Sequence, residues 1–252
     1  MLTDPEFFAM KIVVPIFSLL SISLHSNAQD SIVYKLNQHF RIIDNSDYIY
    51  RRVIKKINDT TFQQTDYFRI GALLQQTLFK DKELKILNGK YIAFDGKGKI
   101  TVTGYYYNNK PVHTWHFYNL EKNNQTDSLD YDFYSNLKKQ FEQSHSIADS
   151  IKYNAETDNE ATFPGGDKAW KRYLTRNLES FSEDFPSSKG KEIQIAFMVD
   201  KTGKLINIHP VMGINPTIDF EIVKIIRRSP KWSPAEQNGK RVIAIRTQPI
   251  HF

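Results

Sequence analysis

Two glycines stand beside a lysine in "ATFPGGDKAWKRYL", residues 161–174. Glycine-rich turns at helix starts can cradle phosphate, so this is the first place to look for chemistry. A phosphate loop follows a strand, packs several glycines and ends in Gly-Lys-Ser/Thr. Here a polar stretch precedes Gly165-Gly166, and Asp167 enters the first helical turn, where its charge opposes an anion. The pair reads as the entry to a helix. "DGKGK" at 95–99 joins two expected strands with no helix after it, and reads as a turn. His113 and His116 lie three apart on an expected strand, so their side chains point to opposite faces and cannot chelate together. His145, His209 and His251 lack partners at ligand spacing. "DSLDYD", residues 127–132, has neither the glycine nor the terminal glutamate of a calcium loop and reads as the solvated start of a helix. There is no Gly-x-Ser-x-Gly, and Trp115, Trp170 and Trp232 read as packing anchors. The chain has no cysteine, which excludes thiolate chemistry, disulfides and lipid attachment through cysteine. The expectation is a protein that is not an enzyme, with no catalytic residues, cofactor or metal.

One stretch points to binding instead. Across Arg241–Gln248, Val242, Ala244 and Arg246 alternate with Ile243, Ile245 and Thr247, the pattern of a strand. An edge strand leaves its N–H and C=O groups unpaired, so it needs a guard or a partner. Arg241 and Arg246 suit a guard. A received peptide, or a second copy of the chain, suits a partner.

These residues need elements to hold them. From Ser31 to about Tyr118, "DYIYRRVIKKI", "DYFRI", "GKYIAFDG", "KITVTGYYYNN" and "HTWHFYN" read as strands broken by turns. An echo at a spacing of 24 sets Gly89, Tyr91, Phe94 and Asp95 opposite His113, Trp115, Tyr118 and Asn119. It predicts one hairpin per unit, each stacking an aromatic face on the next. Between Asp127 and Ile151 the apolar period becomes helical, and "NAETDNEAT" at 154–162 reads as a linker. Beyond it, Trp170, Tyr173, Leu174 and Leu178 mark one face of a helix, and "KEIQIAFMVD" and "KLINIHPVMG" mark two strands about a Gly203 turn. Asn215 and Pro216 begin a second helix, and Asn238-Gly239 leads into the last strand.

The net charge of +6 is too diffuse for a nucleic-acid partner, because no dense basic run or groove-reading motif accompanies it. At the other end, "MKIVVPIFSLLSISLHSNAQ" has a charged start at Lys11, an apolar run from Ile12 to Leu24 and small residues ending at Ala28. It reads as an export signal cleaved after Ala28, with Met10 as the start. Contact with a membrane is expected only through this segment, if it stays uncleaved.

The tail carries a resemblance. "FPGGDKAW", "AFMVDKTGKLINIHPVMGINPTIDFEIVKIIRRSPKWSPAEQNGKRV" and "QPIHF" resemble the TonB C-terminal domain in its Bacteroidetes-type form, over about Thr162 to Phe252. Asp66-Tyr67-Phe68, Gly71, Gly89-Lys90-Tyr91, Gly104-Tyr105 and Asn109-Lys110 with Trp115 resemble MORN-repeat-like proteins of the antitoxin-component kind. Together they imply an α+β chain. A signal peptide at 1–28 precedes a MORN-like β-hairpin repeat region at 29–125, then a helix and linker at 126–161. A small C-terminal domain at 162–252 follows, with a three-stranded antiparallel sheet and two helices in the order α-β-β-α-β. The implied role is a periplasmic or cell-envelope binding protein of a Gram-negative bacterium. It would engage an extended peptide of an envelope or outer-membrane transport protein by strand addition along Arg241, Val242, Ile243, Ala244, Ile245, Arg246, Thr247 and Gln248. A membrane-anchored energy transducer for outer-membrane transport is one alternative; a β-repeat scaffold whose tail forms a homodimer is another. The chain departs from full transducers in its short apolar segment and in its ten scattered prolines.

Overall fold

A computed structural model describes residues 31–119, 125–143, 151–153, 156–179, 181, 185 and 188–252. The export-signal segment lies outside the described residues. Among the described residues 49% are strand and 19% helix, and this mostly β content corrects the expected fold class. In place of stacked hairpins before a small three-stranded domain, the front of the chain forms one large antiparallel sheet.

That sheet has eight strands in sequence order: β1 (Ser31–Leu36), β2 (Tyr50–Asn58), β3 (Thr61–Phe68), β4 (Leu73–Phe79), β5 (Leu87–Phe94), β6 (Ile100–Tyr107), β7 (Lys110–Asn119) and β8 (Gln125–Asp130). Tight turns set the register. Asn108 and Asn109 both hold positive φ, at 48° and 67°, the pair of angles that matches a two-residue loop to the twist of its strands. The 24-residue echo proves to be a packing relation inside one sheet. Tyr91 on β5 and Trp115 on β7 flank Gly104 on β6, and their ring centroids lie 5.5 Å apart. Because Gly104 has no side chain, the Trp115 indole lies across it, and each strand hydrogen-bonds directly to the next. "DSLDYD" is not the start of a helix either. It is mostly β8, in which fully buried Leu129 pairs with Trp115 and Asp127 ion-pairs with Arg227 at 2.8 Å.

The chain then forms α1 (Phe133–Gln143), β9 (Ile151–Tyr153), α2 (Gly166–Leu178), β10 (Glu192–Val199), β11 (Leu205–Met212), α3 (Pro216–Arg227), β12 (Ala235–Gln237) and β13 (Lys240–His251). The expected helix-strand-strand-helix-strand order is present, but the sheet is larger than three strands. It runs β11-β10-β13-β12, and β9 pairs β13 in parallel as a fifth member. At the start of α3, Asn215 accepts a hydrogen bond from the Ile218 N–H at 3.0 Å, and Pro216 takes the position where a missing donor is harmless. Gly203 turns the β10–β11 hairpin at φ 82°, and its carbonyl accepts from the Trp232 N–H at 2.8 Å.

The two sheets share one apolar core. It runs from Trp115, Phe117 and Leu129 of the first sheet to Ile218, Ile222 and Val223 of α3. Phe117 stacks on Phe220 with centroids 4.1 Å apart and planes 5° from parallel. Polar contacts close the same interface: the Tyr134 hydroxyl donates to the Asn207 carbonyl at 2.6 Å, and the Asp130 N–H donates to His209 Nδ1 at 3.2 Å. β8 and α1 therefore lie against the outer side of β11.

Asp219, fully buried in the first turn of α3, ties this interface together. It accepts from the Tyr131 hydroxyl at 2.6 Å and from the Ile214 N–H at 2.8 Å. Burial pushes its carboxyl up to about 6 against these stabilising bonds. A folded-state value above the unfolded one means that protonation favours the folded protein. The contribution is complete below the ordinary carboxyl range and is lost as pH rises through about 6. His209 works oppositely: burial lowers its value, so its contribution is lost as pH falls. Asp219→Asn separates the two. The stability of wild type relative to this variant is expected to rise by about 1 kcal/mol between about pH 7 and pH 5 in denaturant titrations. A flat or falling difference would contradict the assignment.

Candidate functional site

The strand expected to receive a partner is only partly open. On one side, β10 pairs with β13 from Val199↔Ala244 to Glu192↔His251. On the other, β12 covers Lys240, Arg241 and Val242, and β9 covers Ile243, Ala244 and Ile245. Within the expected Arg241–Gln248, Ala244 and Ile245 therefore have strand partners on both sides, while Arg241, Val242 and Ile243 pair with β12 or β9 alone. From Arg246 to His251, β13 has β10 as its only strand partner among the described residues. The open stretch takes in Arg246, Thr247 and Gln248 of the expected site and extends it through Pro249, Ile250 and His251.

Helix α2 forms the wall above this stretch. Its N-cap is Gly165 at φ 83°, with no side-chain cap, so the two glycines serve as the entry to the helix. Asp167 in its first turn bonds Arg246 Nη2 at 2.6 Å, while Arg246 Nη1 donates to the Ala161 carbonyl at 3.0 Å. The same guanidinium lies 5.2 Å from the Trp232 ring centroid. Arg246 is therefore folded inward and does not stand out as a guard. Trp170 donates its indole N–H to Gln248 Oε1 at 2.6 Å and packs edge-on to Trp232, with centroids 5.0 Å apart. These contacts hold helix and strand at a set separation.

Between them lies a groove of about 580 Å³. Trp170, Leu174 and Leu178 of α2 face Gln248 and Ile250 of β13 across it, and Lys171 and Glu179 stand at its rim. The groove offers an apolar pocket beside main-chain groups that lack a strand partner, the two ingredients of recognition by strand addition. β9 ends opposite Ile245, so an extended segment along Arg246–His251 would continue the line of a parallel strand already in place.

A second group of polar side chains escaped the sequence reading. "FQQTDYF" and "LQQTLF" carry the same Gln-Gln-Thr, and the antiparallel register sets Gln64 opposite Thr77 and Asp66 opposite Gln75. Asp66 is fully buried. It accepts from Arg52 Nε at 2.8 Å and Nη2 at 2.9 Å, from Gln64 at 3.0 Å and from Gln75 at 2.8 Å. The signal was there to read: uncharged polar residues recur inside strands at positions that face a core.

Among the described residues, no three His, Asp or Glu side chains converge as a metal site, and no helix is long and apolar enough to cross a membrane. His113 is hydrogen-bonded to Asp132 at 2.7 Å, and His251 lies 3.2 Å from Glu192. His145 lies outside the described residues. No family model, curated protein or solved structure matches the chain.

Proposed function

We propose that this is an exported, periplasmic or cell-envelope binding protein that captures an extended peptide of an envelope or outer-membrane transport protein. The peptide adds as a strand along Arg246–His251 and places a side chain in the groove under α2. The observation that carries this reading is the single-sided stretch of β13 beside that groove. The resemblance of "FPGGDKAW" and "QPIHF" to TonB C-terminal domains supports the class of partner. The apolar run from Ile12 to Leu24 supports export. The role is binding, without catalysis.

Site-specific photo-crosslinking in cells tests it. A photoreactive residue at Thr247, exposed on the open stretch, is expected to trap one short segment of an envelope protein, identified by mass spectrometry. The same residue at Arg241, beside β12, is expected to trap none. Crosslinks from Thr247 to a second copy of the chain alone would replace peptide capture with homodimerisation. Equal trapping from both positions would remove the open stretch as the site.

A further inference from the structure

The cavity between the first sheet and the start of α3 sets polar side chains beside Phe79, Leu87, Trp115 and Ile218. It measures about 380 Å³, at the small end of ligand sites, which span roughly 300–1,000 Å³. Its floor is the polar row of the first sheet, Gln64, Thr77 and Gln75, with Tyr91 and Tyr106 beside it; its roof is the start of α3 at Asn215–Ile218. Among the described residues, no Lys, Arg, Asp or Glu lines it. A sheet face that only had to pack against a helix would be apolar at these positions, because a buried polar group without a partner is destabilising.

The row is also oriented. Asp66 takes the Nε2 groups of both Gln64 and Gln75, which turns the amide oxygens away from the carboxylate. The Gln75 oxygen accepts from the Tyr91 hydroxyl at 3.1 Å. The Gln64 oxygen and the Tyr106 hydroxyl have no hydrogen bond among the described residues. Thr77 is only 4% exposed, and its hydroxyl, closed off from the cavity space, has no partner among the described residues. Burial raises both tyrosines, Tyr91 to about 12, so each stays a neutral phenol that can donate. The site thus combines an oriented amide acceptor, a phenol hydroxyl able to donate and accept, aromatic faces and, among the described residues, no charged side chain. Neutral hydroxyl-rich molecules match this set, since each ring hydroxyl both donates and accepts while the C–H faces pack on aromatic rings.

We propose that this cavity binds a neutral, monosaccharide-sized sugar or cyclic polyol, hydrogen-bonded by the Gln64 oxygen and the Tyr106 hydroxyl and bordered by Tyr91 and Trp115. The site is separate from the groove under α2, and either can stand without the other.

Titration calorimetry on the full chain tests it. Glucose, galactose and N-acetylglucosamine serve as neutral probes, glucuronate and glucosamine as charged ones. At least one neutral sugar is expected to bind with a Kd of about 1 mM or tighter, and more tightly than either charged analogue. Gln64→Leu and Tyr106→Phe are each expected to weaken that binding about tenfold. Tyr106→Phe removes a hydroxyl without a hydrogen bond among the described residues, so it should fold with wild-type stability or better, and its binding defect cannot be a folding defect. The assignment is overturned if no neutral sugar binds, if a charged analogue binds more tightly, or if folded Tyr106→Phe binds like wild type.

Discussion

Gly104→Ala is expected to destabilise the protein by about 3 kcal/mol, lowering Tm by roughly 6–12 °C. A methyl at this position would lie under 3.0 Å from three atoms of the Trp115 indole. The indole has nowhere to go. It is fully buried, its N–H donates to the Tyr105 carbonyl at 3.2 Å, and its faces meet Tyr91 and Tyr106. Either the backbone of β6 or the whole aromatic cluster must move, and close-packed interiors resist both. Gly96→Ala is the control. Nothing lies within 4 Å of a methyl there, and a shift within about 0.5 kcal/mol is expected. The double variant Gly104→Ala with Trp115→Leu should recover part of the loss, a coupling that identifies the indole contact as its source. Equal Tm values for the two alanine variants would show that the ring yields freely.

Asp66→Ala is expected to be at least as damaging, at about 3–5 kcal/mol by chemical denaturation. The carboxylate is fully buried, and the Arg52 guanidinium beside it is 22% exposed. Removing the anion strands that cation and two glutamine amides in a poorly solvated place. The loss therefore exceeds what the bonds themselves contribute. Replacing the pair together, Arg52→Met with Asp66→Leu, should restore most of the stability, since a removed pair leaves no uncompensated charge. The double variant would still lack the anchor that orients Gln64 and Gln75. A stable double variant that has lost sugar binding would assign Asp66 a positioning role; one that keeps wild-type sugar affinity would leave it purely structural.

Much of the local structure was legible in the residues. "GKYIAFDG" and "KITVTGYYYNN" alternate as strands and form β5 and β6; Asn215-Pro216 announces a helix and begins α3. Each of these is a short-range choice, set by side-chain period, by a cap or by a turn within a few residues. The candidate site was only half legible. The alternation of Arg241–Gln248 identifies a strand, but whether a strand is open depends on what else reaches it. β9 pairs Ile151, Lys152 and Tyr153 with Ile243, Ala244 and Ile245, far along the chain, and no local pattern in three residues declares that partner.

Charge misled in the same way. The aspartates of "DSLDYD" look solvated, yet Asp127 meets Arg227 and Leu129 reaches the core, so the segment becomes β8. By itself, then, the sequence determined that this is a cysteine-free chain of aromatic and β-branched strands, with a helix entered through Gly165-Gly166, another capped by Asn215, and a terminal strand. Those outcomes follow from propensity and hydrophobic period acting over neighbouring residues. Only the tertiary structure decided that eight strands join one sheet, that Gly104 makes room for Trp115, that β13 stays open from Arg246 onward, and that Gln64 and Thr77 meet at a cavity. These rest on pairings between distant segments, where geometry and not local preference selects the partner.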